Sequence, residues 1–189
     1  MRYRLGALLI ALIFSSPSFG DIRDYIYPYY NQPSYSNYGT IGLMQMPTAR
    51  FLPEGSLAFT WSHNEPYLRG SIVAYPFNWF EASYQYTDVN NKLYSEVEAF
   101  SGSQSYKDKG FDVKFRLLKE SKYIPAVAIG IRDLGGTALF AAEYIVATKR
   151  IRNIELTGGI GWGVLNNNSI SNPLGKISNR FYQRGVNST

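Results

Sequence analysis

The chain has 189 residues, carries 19 Lys and Arg against 14 Asp and Glu for a formal charge of +5, and contains one His and no Cys. The missing cysteine excludes thiolate metal sites, cysteine nucleophiles and a lipid anchor built on a cysteine behind a signal. The positive excess is too small and too scattered to mark a nucleic-acid partner, and sixteen Tyr, eleven Phe and seventeen Gly beside a slightly negative mean hydropathy describe a chain rich in aromatics yet not greasy.

At the N-terminus, Arg2 and Arg4 precede an apolar run over 5–14, followed by Ser15-Ser16-Pro17-Ser18-Phe19-Gly20 and the acidic Asp21 and Asp24. This three-part order predicts a secretory signal peptide over 1–20. The run is shorter than the roughly 20 apolar residues a spanning helix needs. Cleavage near Gly20 takes the formal charge from +5 to +3, because Arg2 and Arg4 leave with the segment. Residues 21–54 read as an extended leader: Tyr, Asn, Ser and Pro without a period up to Tyr38, then a possible short pre-barrel strand or plug element over 40–46, closed by Pro47 and the turn-rich stretch 50–55.

From 55 to 163 the chain alternates with period two. Leu57, Phe59 and Trp61 oppose Ala58, Thr60 and Ser62; Leu68, Ile72 and Ala74 oppose Arg69 and Ser71; Phe80, Ala82, Tyr84 and Tyr86 oppose Glu81, Ser83, Gln85 and Thr87. Phe111, Val113, Phe115 and Leu117 oppose Asp112, Lys114 and Arg116, the plainest case, with ionised groups on one face and large apolar groups on the other. Val127, Ile129 and Ile131 oppose Arg132, and two further segments follow around 140–146 and 154–162. About seven such segments approach the 9–11 residues of a tilted spanning strand. No apolar stretch after Phe14 is long enough to span as a helix. The expected fold is all-β: an antiparallel up-and-down transmembrane β-barrel, partial, of about seven strands.

The connections support the same orientation. Those around 75–79, 119–123 and 148–153 are short, whereas 90–109 and the Asn- and Ser-rich tail are long and polar. Bacterial barrels keep short turns on the periplasmic side and longer loops outside, so the strand starting near Ser56 runs outward. A single-chain barrel has an even strand number, and no eighth alternation follows Gly163. Residues 164–189 are therefore expected to begin an extracellular loop of a longer protein.

Gly42-Leu43-Met44-Gln45-Met46-Pro47-Thr48-Ala49-Arg50 with Pro53-Glu54-Gly55 carries a family resemblance, as do Ser105-Tyr106-Lys107-Asp108-Lys109-Gly110-Phe111-Asp112-Val113-Lys114-Phe115 and Gly130-Ile131-Arg132-Asp133-Leu134-Gly135-Gly136-Thr137. With Glu143-Tyr144 and Gly161-Trp162-Gly163, these segments resemble, in order, the YjbH family of exopolysaccharide-biosynthesis proteins. The resemblance implies an outer-membrane β-barrel several times longer than this chain, encoded with small envelope lipoproteins and linked to production or export of extracellular polysaccharide or capsule. It implies partners in outer-membrane lipid, extracellular polysaccharide and envelope lipoproteins of the same pathway, and it supplies no catalytic residue.

The ionised residues expected on the interior face are Glu81, Asp112, Lys114, Arg116, Arg132, Glu143 and Glu155. Their mixed signs fit cross-strand pairing that stiffens the wall, or a ring in which Lys114, Arg116 and Arg132 attract an acidic polymer. Trp61, Trp79, Tyr84 and Trp162 are candidates for interfacial girdles or for stacking on sugar rings. His63, flanked by Ser62 and Glu65, reads as an exposed turn residue, since sequence neighbours on a turn rarely meet in a triad. One His without Cys assembles no metal set, and the glycine-rich 158–163 reads as a curved strand because no helix follows it. Neither catalysis nor a cofactor is expected. A secreted, water-soluble β-rich binding or adhesion domain is the alternative, and an outer-membrane acyl hydrolase is a distant third.

Overall fold

The computed structural model describes residues 33–166 and 170–183, all within the unit Pro33–Thr189. The expected signal over 1–20, the leader up to 32 and the last six residues lie outside the described residues. A two-residue hairpin, β1 (Gly42–Leu43) with β2 (Met46–Pro47), precedes the main sheet. That sheet contains β3 (Ser56–Asn64), β4 (Tyr67–Phe77), β5 (Phe80–Leu93), β6 (Ser105–Leu118), β7 (Ala126–Arg132), β8 (Ala142–Ile151) and β9 (Ile154–Gly161). Each strand pairs antiparallel with the next, in the order β3 to β9, so the seven alternating segments become a seven-stranded meander. Among the described residues β3 and β9 do not pair with each other, and the sheet is a curled half-barrel. No described helix is long and apolar enough to cross a membrane, which says nothing of strands.

The 90–109 connection is shorter than its composition predicts. β5 continues to Leu93 and β6 begins at Ser105, leaving 94–104 with the short helix α1 (Glu98–Ser101). Lys107 and Asp108 there are strand residues paired across the ladder, Lys107 opposite Asp88 and Asp108 opposite Thr87. Opposite charges facing one another stabilise such an extension as apolar pairs do.

Register fixes two faces. One outer row runs Phe59, Ile72, Tyr84, Phe111 through β3 to β6, and another runs Phe80, Phe115, Ile129, Ile145, Ile160 through β5 to β9. The inner face carries Glu81, Lys114, Gly130 and Tyr144 in one row and Arg69, Thr87 and Asp108 in another. The apolar outer side chains are half-buried or exposed, while the inner ones of these rows are buried. A water-soluble sheet distributes them the other way round.

What buries the inner face is the segment before the sheet. Residues 33–52, including β1 and β2, lie in the concave trough as a plug. Ile41 packs on Val73 and Tyr75 of β4, while Ala49 packs on Ala126, Ala128, Tyr144 and Val146 of β7 and β8. A third cluster joins Tyr38 to Val89 and Phe140. Gly39 sits at the crowded point where the plug meets the wall, with φ of +84°, and a Cβ there would stand 2.3 Å from the Ser71 Cβ. Only glycine combines that backbone with that closeness.

Candidate functional site

The trough is a layer of charged groups sealed between wall and plug. Its centre is the Glu81–Lys114 ion pair on adjacent positions of β5 and β6, 2.8 Å apart, with side chains 2% and 1% exposed. Lys114 Nζ also donates to the Arg50 carbonyl of the plug at 2.9 Å. Arg132 on β7 donates to the Gln45 carbonyl at 3.0 Å, and its guanidinium lies 4.2 Å from the Tyr38 ring centroid. Asp112 accepts from Gln85 Nε2 at 3.1 Å and from the Asp133 backbone N–H at 2.8 Å. Arg116 lies over Phe51 of the plug, 4.5 Å from its centroid. Buried ions persist only when paired or fully hydrogen-bonded, and here the plug backbone supplies much of that satisfaction.

At the short-turn end, Arg50 of the plug holds Glu120 at 2.5 Å and Glu155 at 2.8 Å, joining the β6–β7 turn to β9. Glu120 also accepts from the Arg150 backbone N–H at 2.8 Å and from Lys149 at 3.0 Å. Partial burial works to raise the Glu120 carboxyl, but the Arg150 amide, Lys149 and Arg50 outweigh it and hold the group below the usual carboxylate range. A carboxylate depressed in the folded state stabilises fully above its unfolded value, near about 4.3, and that contribution fades as pH falls through the folded value. Urea unfolding of the full-length chain is therefore expected to show a midpoint that falls between pH 5 and the acid limb. Glu120→Gln should be less stable at pH 7 and flatter below it. An unchanged acid slope in the variant would show that Glu120 does not carry the effect.

Of the seven expected interior charges, Glu81, Asp112, Lys114, Arg116, Arg132 and Glu155 lie on inner positions of the register. Glu143 does not. It pairs with Ile131 in the outer row, because Ala142, Tyr144 and Val146 turn inward beneath the plug and fix the parity of β8. Glu143 is nevertheless buried, with Asn172 Nδ2 donating to its Oε2 at 2.8 Å from the segment that follows β9.

The four aromatic candidates divide similarly. Trp61 stands on the outer face, 65% exposed, with its ring covering Gly70. Tyr84 is also outward, 5.0 Å from Phe111 between centroids. Trp79 lies at the short-turn end, stacked with Phe77 at 5.4 Å and Phe115 at 6.2 Å. Trp162 is buried just past β9, its backbone N–H donating to the Glu143 carbonyl.

Three further charged residues of the trough follow from parity or motif. Arg69 is buried among Tyr38, Tyr67 and Phe140, 4.4–4.8 Å from their centroids. Asp108 accepts from Thr137 Oγ1, and Arg50 ends the 42–50 motif. Ser62 faces the plug and donates to the Asn37 carbonyl at 2.8 Å, while His63, on the other face, meets exposed Glu65 at 2.9 Å. Among the described residues no three His, Cys, Asp or Glu side chains converge so that they could hold a metal ion.

A family model described as exopolysaccharide biosynthesis protein YbjH, labelled YjbH, matches residues 34–189. The chain belongs to the YjbH family. A relative, the uncharacterized lipoprotein YjbH of Escherichia coli (strain K12), is 45% identical over 185 residues, which cover 97% of this chain and 26% of that protein. The chain thus spans about a quarter of the length of that relative. No solved structure matches it. In this chain the 42–50 motif touches β6, β7, β8 and β9 through Gln45, Ala49 and Arg50, while the adjoining Ile41 packs on β4.

Proposed function

We propose that this chain forms part of the wall of an outer-membrane β-barrel and acts, without catalysis of its own, in the production or export of an extracellular polysaccharide. The observation that carries the reading is the inverted distribution of side chains. Leu57, Phe59, Trp61, Ile72, Phe111 and Ile160 are all about half exposed or more, on a face built from strands. Contiguous apolar surface of that extent marks a membrane or a partner, and alternation of apolar-out with charged-in is how a barrel meets lipid. Family membership supports the pathway, and its partners would be outer-membrane lipid, the polysaccharide and envelope lipoproteins. The commitment of Ser62 to the plug, opposite His63, supports a non-enzymatic role.

In this reading Lys114 and Arg132 hold the plug rather than an acidic polymer, because the plug carbonyls occupy them. The test is the behaviour of the full-length mature chain. It should fractionate with outer membranes and require detergent to stay monomeric, and a chain monodisperse in plain buffer would overturn the reading in favour of a soluble β domain. Ile72→Arg sharpens it. An arginine on the lipid face near the bilayer centre costs about 2–4 kcal/mol, so the variant should unfold in vesicles at clearly lower urea. A shift within about 0.5 kcal/mol, the ordinary range of a surface change, would place Ile72 in water.

A further inference from the structure

Two neighbouring cavities lie on the outer face, toward the end of the sheet that carries α1. The first is a largely apolar groove of about 340 Å³ lined by Phe59, Trp61, Leu68, Ile72 and Tyr84, together with the Asp88 carboxylate that pairs with Lys107. Gly70 forms its floor, since a Cβ there would lie 3.2 Å from the Trp61 ring. Tyr86 belongs to both cavities. Beyond it the second opens, about 470 Å³, lined by Tyr94, Ser101, Gln104, Lys107 and Lys109 beneath the 94–104 connection. Both volumes fall in the roughly 300–1,000 Å³ range of small-molecule sites.

The chemistry changes sharply along this path. The groove is apolar apart from Asp88, whereas the second cavity offers the Lys107 and Lys109 ammonium groups, the Gln104 amide and the Ser101 and Thr137 hydroxyls. Lys107 is paired with Asp88, which also accepts from Ser105. Lys109 lies 6.0 Å from the Tyr86 ring centroid and makes no ion pair among the described residues. The Ser101 hydroxyl is shielded from solvent and has no hydrogen-bond partner among the described residues. Glu96 and Glu98 lie in the same connection but do not line the cavity. An apolar slot beside a cationic, donor-bearing pocket, the two sharing Tyr86, is complementary to one kind of molecule: an amphiphile with an acyl chain and an anionic head.

We infer that this pair of cavities is a binding site for a single anionic lipid, its chain along Trp61 and Gly70 and its headgroup on Lys109 and Ser101. The inference rests on the outer-membrane reading and deepens it. The wall then does more than contact bulk lipid: it selects one by charge at a fixed position.

Trp61 reports the occupant. Full-length protein is placed in phosphatidylcholine nanodiscs doped with lipid brominated on its acyl chain, either phosphatidylglycerol or phosphatidylcholine at the same mole fraction, and fluorescence quenching is compared with that of Trp61→Phe. The anionic brominated lipid should quench the Trp61 component at several-fold lower mole fraction than the zwitterionic one. Lys109→Gln should reduce that preference about fivefold, the factor given by about 1 kcal/mol per basic residue near an anionic surface, with the protein still inserted. Equal quenching by both lipids overturns the site while leaving the barrel intact, as does an undiminished preference in Lys109→Gln. Quenching by neither lipid overturns the barrel reading itself.

Discussion

Lys114→Met in the full-length chain is expected to lower unfolding free energy by about 3–5 kcal/mol, the cost of leaving one partner of a buried ion pair uncompensated. Glu81 would lose its ammonium partner at a position 2% exposed, with only the smaller polar groups of the trough to answer it. The Arg50 carbonyl would also lose its donor. The double variant Lys114→Met with Glu81→Met should recover most of the loss, since apolar replacement of both partners is often neutral. What remains is the unpaired Arg50 carbonyl, about 1–3 kcal/mol. Urea unfolding of the four proteins of this cycle gives the coupling directly. A single variant within about 0.5 kcal/mol of the parent, a typical surface value, would mean that water fills the trough and that the plug does not seal it.

Gly39→Val is expected to unseat the plug while leaving the sheet paired. The position has φ of +84°, and a Cβ would stand 2.3 Å from Ser71 Cβ and 2.5 Å from Thr60 Oγ1. Backbone strain of about 1–3 kcal/mol and overpacking of about 1–3 kcal/mol act together, so a total of several kcal/mol falls on one short segment. The contacts nearest it, Ser62 to the Asn37 carbonyl and Ser71 to the Tyr38 carbonyl at 3.1 Å, should be lost first. Limited proteolysis reads the result as new cleavage within 33–54 with the strands still protected. Cleavage spread through the strands would show instead that the plug is required for the sheet to exist. An unchanged pattern would show that the wall yields to the added methyls.

The seven strands were legible because one apolar face and one polar face leave a period of two that nothing else mimics. Phe111 to Leu117 is enough to place Asp112 and Lys114 opposite Phe111 and Val113. The limits of β5 and β6 were less legible: Lys107 and Asp108 look like loop residues until their partners across the ladder are known. Glu143 misled for a related reason. In Ala142, Tyr144 and Val146 the apolar set faces the plug, so polarity alone points the wrong way. The possible plug element around 40–46 was legible as a short strand beside Pro47, but the reach of Arg50 to Glu120 and Glu155 was not. Contacts between residues 70 and 105 positions apart leave no periodic trace.

The plug contacts also span loops of steadily increasing length. Its bonds to Ser62 and Ser71 close over sequence separations of 25 and 33, those to Lys114 and Arg132 over 64 and 87, and those to Thr148 and Glu155 over 99 and 105. The intervals lengthen strand by strand, so the entropy of loop closure rises at each step. The plug thus ties the wall together from β3 to β9, and the bond of Arg50 to Glu155 closes the largest of these loops.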